Sequence, residues 1–144
     1  MQMTSFRAAN KTAVLSIFDK NCPEYFAPNE RDDLIKFMDQ YADGYRVCVH
    51  EDTIVGAFGL YEKDDKDSRL QWILLDPAVQ GIVGGSQIMQ DVFKQANEKN
   101  IKTIQIATSH VSFKFFEKHG AKIISEVENG WGPGMHQVHM EIQL

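Results

Sequence analysis

Residues 72–90 read WILLDPAVQGIVGGSQIMQ, an apolar run followed by a proline and three glycines. The run predicts a strand, and apolar residues recur at helical spacing after the glycines. A strand that ends in a glycine-rich turn and opens a helix suits an anion, because the first helical N–H groups lack partners and the helix dipole favours negative charge. Glycines also let a phosphate oxygen approach the backbone.

The charge distribution leaves two interpretations of this turn open. Residues 77–122 carry six Lys/Arg and three Asp/Glu, whereas the whole chain has a net charge of −5. A basic helix surface explains the local excess, and so does an anionic ligand nearby. The acidic total argues against a nucleic-acid binder.

The 144 residues fit one domain, 1–144, with 43% hydrophobic residues and no need for disulfides. Cys22 and Cys48 form no Cys-x-x-Cys motif and no Cys/His cluster, so no metal site is predicted. We expect a cytoplasmic protein, because two free thiols suit a reducing compartment and the N-terminus lacks a signal-peptide core. No apolar stretch approaches the roughly 20 residues that span a bilayer.

The periodicity along the chain predicts a mixed α/β domain, with a meander in its first half and crossovers in its second half. Asn10 and Asn29 are the predicted helix caps. A loop is predicted at 129–135. Strands are predicted at 4–9, 45–50, 53–61, 69–76, 101–108, 121–128 and 136–144, and helices at 10–20, 29–42, after the glycines, and at 109–120.

Two phosphate motifs are excluded by inspection. A Walker loop ends in Gly-Lys-Ser/Thr, and residues 81–86, GIVGGS, contain no lysine. The dinucleotide fingerprint needs Gly-x-Gly-x-x-Gly near the start of a βαβ unit, whereas this turn lies in the middle of the chain. The glycine cluster alone is therefore compatible with a simple tight turn as well as with an anion site.

Residues 72–93 resemble a signature of the GNAT acyl-CoA N-acyltransferase superfamily. That signature is a strand ending in aliphatic-x-Pro, two further residues, and Arg/Gln-x-x-Gly-x-Gly/Ala at the start of a helix. Leu75-Asp76-Pro77, Gln80 and Gly85 match it. Val83 stands where the middle glycine is expected, and Gly84 follows one place later.

A second signature of the same family, Asn-x-x-Ala-x-x-Phe-Tyr-Glu-Lys-x-Gly-Phe, is similar to residues 109–121, SHVSFKFFEKHGA, without a gap. Ser109 replaces the asparagine and Phe116 replaces the tyrosine. With the element order, the resemblance covers essentially the whole chain. It implies a GNAT-like single domain with a central mixed sheet of six to seven strands, an antiparallel first half, splayed parallel central strands and helices on both faces.

The resemblance implies acetyl-CoA as co-substrate, lying between the splayed strands. Main-chain groups of residues 73–75 would bind the pantetheine arm, one N–H polarising the thioester carbonyl. The amides of residues 81–86 would hold the pyrophosphate. Lys114 and Lys118 would lie near the 3′-phosphate, or else are solvated surface lysines. The implied cofactor-binding residues are Ile73, Leu74, Leu75, Gln80, Gly81, Ile82, Val83, Gly84, Gly85, Ser86, Ser109 and Phe116.

The implied chemistry is direct attack of a primary amine on the thioester, which calls for a general base. The family's usual acid is the tyrosine that Phe116 replaces, and the strand at 101–108 contains no acid. His136 and Glu62 are the candidate bases, although each also fits a surface residue. Trp131 and His136 are expected to line the acceptor pocket, from the loop between the last two strands.

The sequence therefore indicates an N-acetyltransferase that acts on a small-molecule or peptide amine. Tyr25 and Phe26 are further aromatic candidates for its acceptor pocket. The resemblance leaves a homodimer open, and neither nucleic acid nor a membrane is expected as a partner. One alternative is a non-catalytic acyl-CoA-binding module with a regulatory role on the same fold. Another is an interaction protein whose glycine turn is only structural.

Overall fold

The structure, a computed structural model, describes residues 1–64, 66–79 and 84–144. The helices in this part of the chain are α1 (Lys11–Asn21), α2 (Glu30–Gln40), α3 (Gly84–Glu98) and α4 (Phe113–Lys118), with 3₁₀ turns at Ala8–Asn10 and Pro77–Val79. Its strands are β1 (Gln2–Ser5), β2 (Arg46–His50), β3 (Thr53–Glu62), β4 (Asp67–Leu75), β5 (Thr103–Ser109), β6 (Lys122–Gly132) and β7 (Met135–Gln143).

All seven of these strands form one sheet in the order β1-β2-β3-β4-β5-β7-β6. Strands β1 to β4 pair antiparallel in sequence order, β4 pairs parallel with β5, and β7 is antiparallel to both β5 and β6. The parallel pair needs a crossover, which α3 supplies. The predicted mixed sheet with an antiparallel first half is confirmed.

The two faces of the sheet carry separate cores, because side chains alternate along each strand. On one face α1 and α2 pack with residues such as Val47, Ala57 and Leu74. On the other face α3 and Phe116 of α4 pack with residues that include Phe58. The predicted helices on both faces are therefore confirmed, and no helix in the described ranges is long and apolar enough to cross a bilayer.

The first predicted strand and the last predicted helix differ from the structure in their bounds. The first strand ends at Ser5, because the chain turns into Ala8–Asn10 and the Asn10 side chain accepts from the Arg7 N–H instead of capping α1. The helix predicted at 109–120 begins only at Phe113, since β5 pairs with β7 through Ser109.

The loop predicted at 129–135 is largely strand. β6 continues to Gly132 and β7 begins at Met135, which leaves a short turn around Pro133 and Gly134. Asn129 Oδ1 accepts from the Gly134 N–H at 2.7 Å and ties the end of this hairpin together.

Candidate functional site

The two parallel strands separate at the centre of the sheet. β4 pairs with β5 over Asp67–Leu70, opposite Thr103–Ile106. Ser68 Oγ donates to Thr103 O at 3.1 Å near the start of this ladder. Both strands continue beyond it, and no pairing joins their last residues, all of which the structure describes. The strands therefore open a gap toward their carboxyl ends, in agreement with the predicted splay.

β4 carries a bulge beside the gap. Between Gln71 and Leu74, two residues of β4 lie opposite a single residue of β3. Trp72, the first of the two, has a φ of +48°, a region that bulky residues avoid. The Tyr45 hydroxyl donates to Trp72 O at 2.6 Å and holds this conformation. Since a bulge leaves one residue outside the ladder, the main-chain N–H and C=O groups around Ile73 do not all form hydrogen bonds within the sheet.

The end of β4 is fixed from α1. Asn21, which is buried, donates through Nδ2 to Leu75 O at 3.0 Å and to Ile17 O at 2.9 Å. The next N–H, that of Asp76, donates to Val55 O at 2.7 Å. The carbonyl of Leu75, one of the groups predicted to hold the pantetheine arm, therefore already has a protein partner.

A cavity of about 710 Å³ occupies the gap and is lined from both faces of the sheet. Residues 73–75 of β4 line it, and so does Ser109 at the end of β5, directly opposite Gln137 of β7. From the side of α3 and α4 it is lined by Gly85, Ser86, Ser112, Phe115, Phe116 and Lys118. From the side of α1 and α2 it is lined by Tyr25, Phe26, Glu30, Arg69, Gln71, Trp72, Gln105, Trp131, Gln137 and His139.

The first turn of α3 contacts α4 across the cavity. A Cβ atom at Gly85 would lie 2.6 Å from Cε1 of the Phe115 ring, which is inside van der Waals contact. At Gly84 a Cβ would lie 3.3 Å from Leu75 Cδ2. Close packing against Phe115 therefore explains the glycine at position 85, in addition to the predicted approach of a phosphate. Ser86 lies in the first described turn of α3.

Gly85→Ala is expected to displace the Phe115 ring and to weaken acetyl-CoA binding about tenfold or more, since the new methyl group overlaps the ring. The concentration of acetyl-CoA that gives half of the maximal thermal shift measures this change. Gln90→Ala, on the exposed surface of α3, is the control and should change little. If combining Gly85→Ala with Phe115→Leu restores no affinity, the overlap is not the cause.

Ser109 ends β5 inside the cavity. Its side chain is 5% exposed, and its hydroxyl Oγ is buried without a hydrogen-bond partner among the residues that the structure describes. A buried hydroxyl without a partner costs free energy. A polar group of a ligand in the cavity would satisfy it, as predicted for the pantetheine arm.

Ser109→Ala is expected to leave the free energy of unfolding unchanged, or to raise it by about 1 kcal/mol, in the absence of ligand. With saturating acetyl-CoA the added stability should be smaller than in wild type by about 0.5–1.5 kcal/mol. The control is Ser68→Ala, whose buried hydroxyl bonds Thr103 O and which should lose about 1 kcal/mol in both states. Equal ligand stabilisation of wild type and Ser109→Ala would contradict the assignment.

The remaining cofactor predictions fall in three places. Phe116 is 2% exposed, lines the cavity and packs edge-to-face with Phe115 at a centroid distance of 5.0 Å. Lys118 lines the cavity and is exposed, whereas Lys114 is exposed and does not line it. The predictions at Gln80, Gly81, Ile82 and Val83 lie outside the described residues.

Trp131 closes the cavity from the β6–β7 hairpin. Its Nε1 donates to Thr108 O at 2.7 Å, and its carbonyl accepts from Asn29 Nδ2 at 2.8 Å. The Asn29 side chain therefore bonds the hairpin and does not cap α2. A Cβ at Gly132 would lie 2.9 Å from Ala27 Cβ, so the hairpin packs directly against the start of α2.

The two predicted bases lie away from the cavity. His136 accepts from the Asn129 N–H through Nδ1 at 3.0 Å. Its ring lies 4.6 Å from that of His110, at an angle of 46°, in a separate pocket of about 250 Å³. Glu62 is exposed at the end of β3. Neither residue lines the cavity between β4 and β5.

Sequence reasoning missed three charged or titratable residues that do line the cavity, Glu30, Arg69 and His139. Glu30 begins α2, is 4% exposed and accepts from the Ala27 N–H at 2.7 Å. Burial raises the pKa of Glu30 to about 7, against the Ala27 hydrogen bond, which lowers it. His139 lies on β7 three residues beyond His136, on the face toward α1 and α2.

Neither cysteine suits nucleophilic chemistry. Burial raises the pKa of the Cys48 thiol to about 12 and also raises that of the half-buried Cys22. A raised pKa lowers the thiolate fraction at neutral pH and with it the reactivity. Within the described ranges, no group of three or more His, Cys, Asp or Glu side chains is placed to hold a metal ion.

Comparisons with known proteins agree on one family. The sequence profile of the acetyltransferase (GNAT) family matches residues 12–121. A comparison with curated proteins finds no match. Among solved structures, Ard1 from Thermoplasma volcanium is 14% identical with a TM-score of 0.83, over 99% of this chain and 97% of that chain.

Two other similar structures contain coenzyme A or its acetyl form. An aminoglycoside 6′-N-acetyltransferase complexed with coenzyme A is 15% identical with a TM-score of 0.75, over 99% of this chain and 97% of that chain. A GNAT family acetyltransferase from Elizabethkingia anophelis with acetyl-CoA bound is 21% identical with a TM-score of 0.65, over 76% of this chain and 82% of that chain. At these identities the likeness shows the shared fold.

Proposed function

Because the chain belongs to the GNAT family of acetyltransferases, we propose that it moves an acetyl group from acetyl-CoA to a primary amine. The observation that carries this proposal is the cavity between β4 and β5, which is lined from both faces of the sheet. A donor entering from the side of α3 and an acceptor entering from the side of α1 and α2 would meet beside the bulge in β4. Such positioning turns a bimolecular reaction into an effectively unimolecular one.

The side of α3 suits acetyl-CoA. The first turn of α3 offers hydrogen bonds to the phosphates. The hydroxyl of Ser109, at the end of β5 in the gap, has no partner among the described residues and is available to the pantetheine arm. Acetyl-CoA supplies the activated acyl group as a thioester. A main-chain N–H of residues 73–75 would stabilise the negative charge that develops on the thioester oxygen during attack.

The leaving thiolate receives no proton from Phe116, whose side chain has no hydroxyl. A thiol has a pKa near 8.5, far below that of an alcohol or an amine. The thiolate is therefore a good leaving group without a dedicated acid. We expect the reaction to proceed by direct attack of the amine, with the sulfur protonated afterwards.

Phe116 also favours a second candidate function. A phenylalanine where the family has its usual acid is compatible with a module that binds acyl-CoA without fast transfer. That module would be stabilised by acetyl-CoA and would respond to its level. The two functions differ in turnover and not in binding.

Thiol release from acetyl-CoA in the presence of amines tests the proposal. The panel contains 2-phenylethylamine, spermidine, glutamate, kanamycin and a short basic peptide, with a reaction lacking amine as the control. We expect amine-dependent release of one thiol per acetylated product, identified by mass. Stabilisation by acetyl-CoA without release with any amine would favour the non-catalytic module, and the absence of both would contradict either function.

A further inference from the structure

Glu30 is the one acidic side chain among the described residues that line the cavity. It lies on the side of α1 and α2, where the acceptor would enter. Its oxygen Oε2 accepts from the Ala27 N–H at 2.7 Å. The other oxygen, Oε1, has no hydrogen-bond partner within residues 1–64, 66–79 and 84–144. One oxygen therefore fixes the carboxyl group, and the other is left for a ligand.

The position of this carboxyl group is set by its surroundings. Ala27 is 2% exposed, and the neighbouring Asn29 is tied to the Trp131 carbonyl of the hairpin at 2.8 Å. The first residue of a helix is usually solvated, whereas Glu30 is 4% exposed. The hydrogen bond from the Ala27 N–H holds the carboxyl group at the start of α2. Burial with one oxygen unpaired among the described residues disfavours the charged form of Glu30 unless a polar or cationic partner binds it.

The charged and titratable groups around Glu30 come from several elements. Asp33 follows on α2, and its charge adds to the effect of burial in raising the pKa of Glu30 to about 7. Cys22 lies at the end of α1, and its own pKa is raised in part by Glu30. Arg69 of β4 and His139 of β7 line the same cavity. Of these groups, the His139 imidazole is the competing candidate for a proton acceptor.

We propose that the Glu30 carboxylate takes the proton that the acceptor ammonium must lose before it can attack acetyl-CoA. This inference rests on the proposed acetyl transfer and names its general base. It also defines the acceptor as a primary amine that is protonated in solution and is attracted by the carboxylate of Glu30. The aromatic side chains of Tyr25, Phe26 and Trp131 around the same space would contact the carbon skeleton of that amine.

In the proposed step, Glu30 accepts one proton from R–NH₃⁺ and leaves R–NH₂. The nitrogen lone pair forms the C–N bond with the thioester carbon, and the C–S bond breaks with its electron pair on sulfur. The second proton of the attacking nitrogen goes to that sulfur to give the free thiol, and Glu30 then loses its proton to water.

The test compares the pH dependence of kcat/KM for acetylation of 2-phenylethylamine by wild type, Glu30→Gln, His139→Gln and Asp32→Asn. The glutamine at position 30 can still accept from the Ala27 N–H, so the start of α2 is kept. Glu30→Gln should lower kcat/KM about 100-fold at pH 7.5. Near pH 10, where a large share of an alkyl amine is already unprotonated, the deficit should shrink to a few-fold.

The control variants separate the alternatives. Asp32→Asn removes an exposed acid from the same helical turn and should match wild type. His139→Gln should keep the wild-type fall in rate below about pH 7. A deficit of Glu30→Gln that is equal at all pH values, or a pH limb that disappears in His139→Gln, would overturn the inference.

Thermal unfolding shows whether Glu30→Gln is folded. Since the pKa of Glu30 is raised by folding, its protonated form favours the folded state below about pH 4.5, and that contribution is lost as the pH rises through 7. Glu30→Gln should therefore unfold at a higher temperature than wild type at pH 8.5 and at a similar temperature at pH 4.5. If the wild type binds acetyl-CoA but acetylates no amine, both the proposed function and this inference are contradicted. If Glu30→Gln keeps the wild-type kcat/KM, this inference alone is contradicted.

Discussion

Phe18→Ala is expected to lower the free energy of unfolding by about 3–5 kcal/mol. Phe18 is fully buried between α1 and the sheet, and its ring lies 5.2 Å from that of Phe26. Phe26 in turn stacks on Trp72 at 6.2 Å. Because both of these rings line the cavity, removing the support beneath them should also raise the KM for the amine.

Urea unfolding followed by circular dichroism measures the loss of stability. Tyr41→Ala, at the end of α2, is the matched aromatic control, because that side chain is 63% exposed. Its effect should stay within about 0.5 kcal/mol. A loss below 1 kcal/mol for Phe18→Ala would mean that the core on this face of the sheet is not packed as described.

Trp131→Ala is expected to lower kcat/KM for the amine about 100-fold, the scale of the loss when a reacting group is misplaced by roughly 1 Å. The indole closes the cavity and ties the β6–β7 hairpin to β5 through Thr108 O. Its removal should leave the thermal shift with acetyl-CoA close to the wild-type value, because the proposed donor side lies on the other face of the sheet.

Trp131→Phe separates the ring from its N–H donor. This variant keeps an aromatic wall but loses the bond to Thr108 O, so it should cost about 0.5–1.5 kcal/mol of stability. Its kcat/KM should fall less than that of Trp131→Ala. Equal activity of Trp131→Ala and wild type would show that the hairpin does not form the acceptor pocket.

The gap between β4 and β5 could be predicted from the sequence because the residues that indicate it are close together in the chain. The apolar run at residues 72–75, the following proline and the glycines define a strand, a turn and a helix in one continuous stretch. The resemblance at Ser109 and Phe116 then placed β5 and α4 beside that stretch. Both residues line the cavity, although their contacts with acetyl-CoA stay a prediction.

The side chains on the acceptor side depend on contacts distant in sequence. Glu30 appears in the sequence as one of several acids in the first turn of a helix. Its burial follows from packing against the hairpin, through contacts such as the one between Asn29 and Trp131. No pattern near residue 30 indicates that contact.

The resemblance places His136 at the acceptor pocket, next to the connection between the last two strands. His136 lies in β7, as it does in the strand predicted at 136–144, and successive residues of a strand face opposite sides of the sheet. Gln137 and His139 therefore line the cavity, whereas His136 shares the parity of the core residue Val138. The alternation along β7 thus decides which histidine is available to a substrate.

Acetyl-CoA is expected to bind in the gap between β4 and β5, and thermal unfolding with and without acetyl-CoA measures this binding. At a hundred times its Kd, the ligand should add about 2.7 kcal/mol of stability, a rise of roughly 5–10 °C for a domain of this size. Dephospho-CoA serves as the control and should give a smaller rise if the 3′-phosphate is bound. An unchanged unfolding temperature at millimolar acetyl-CoA would contradict the cofactor site and, with it, the proposed acetyl transfer.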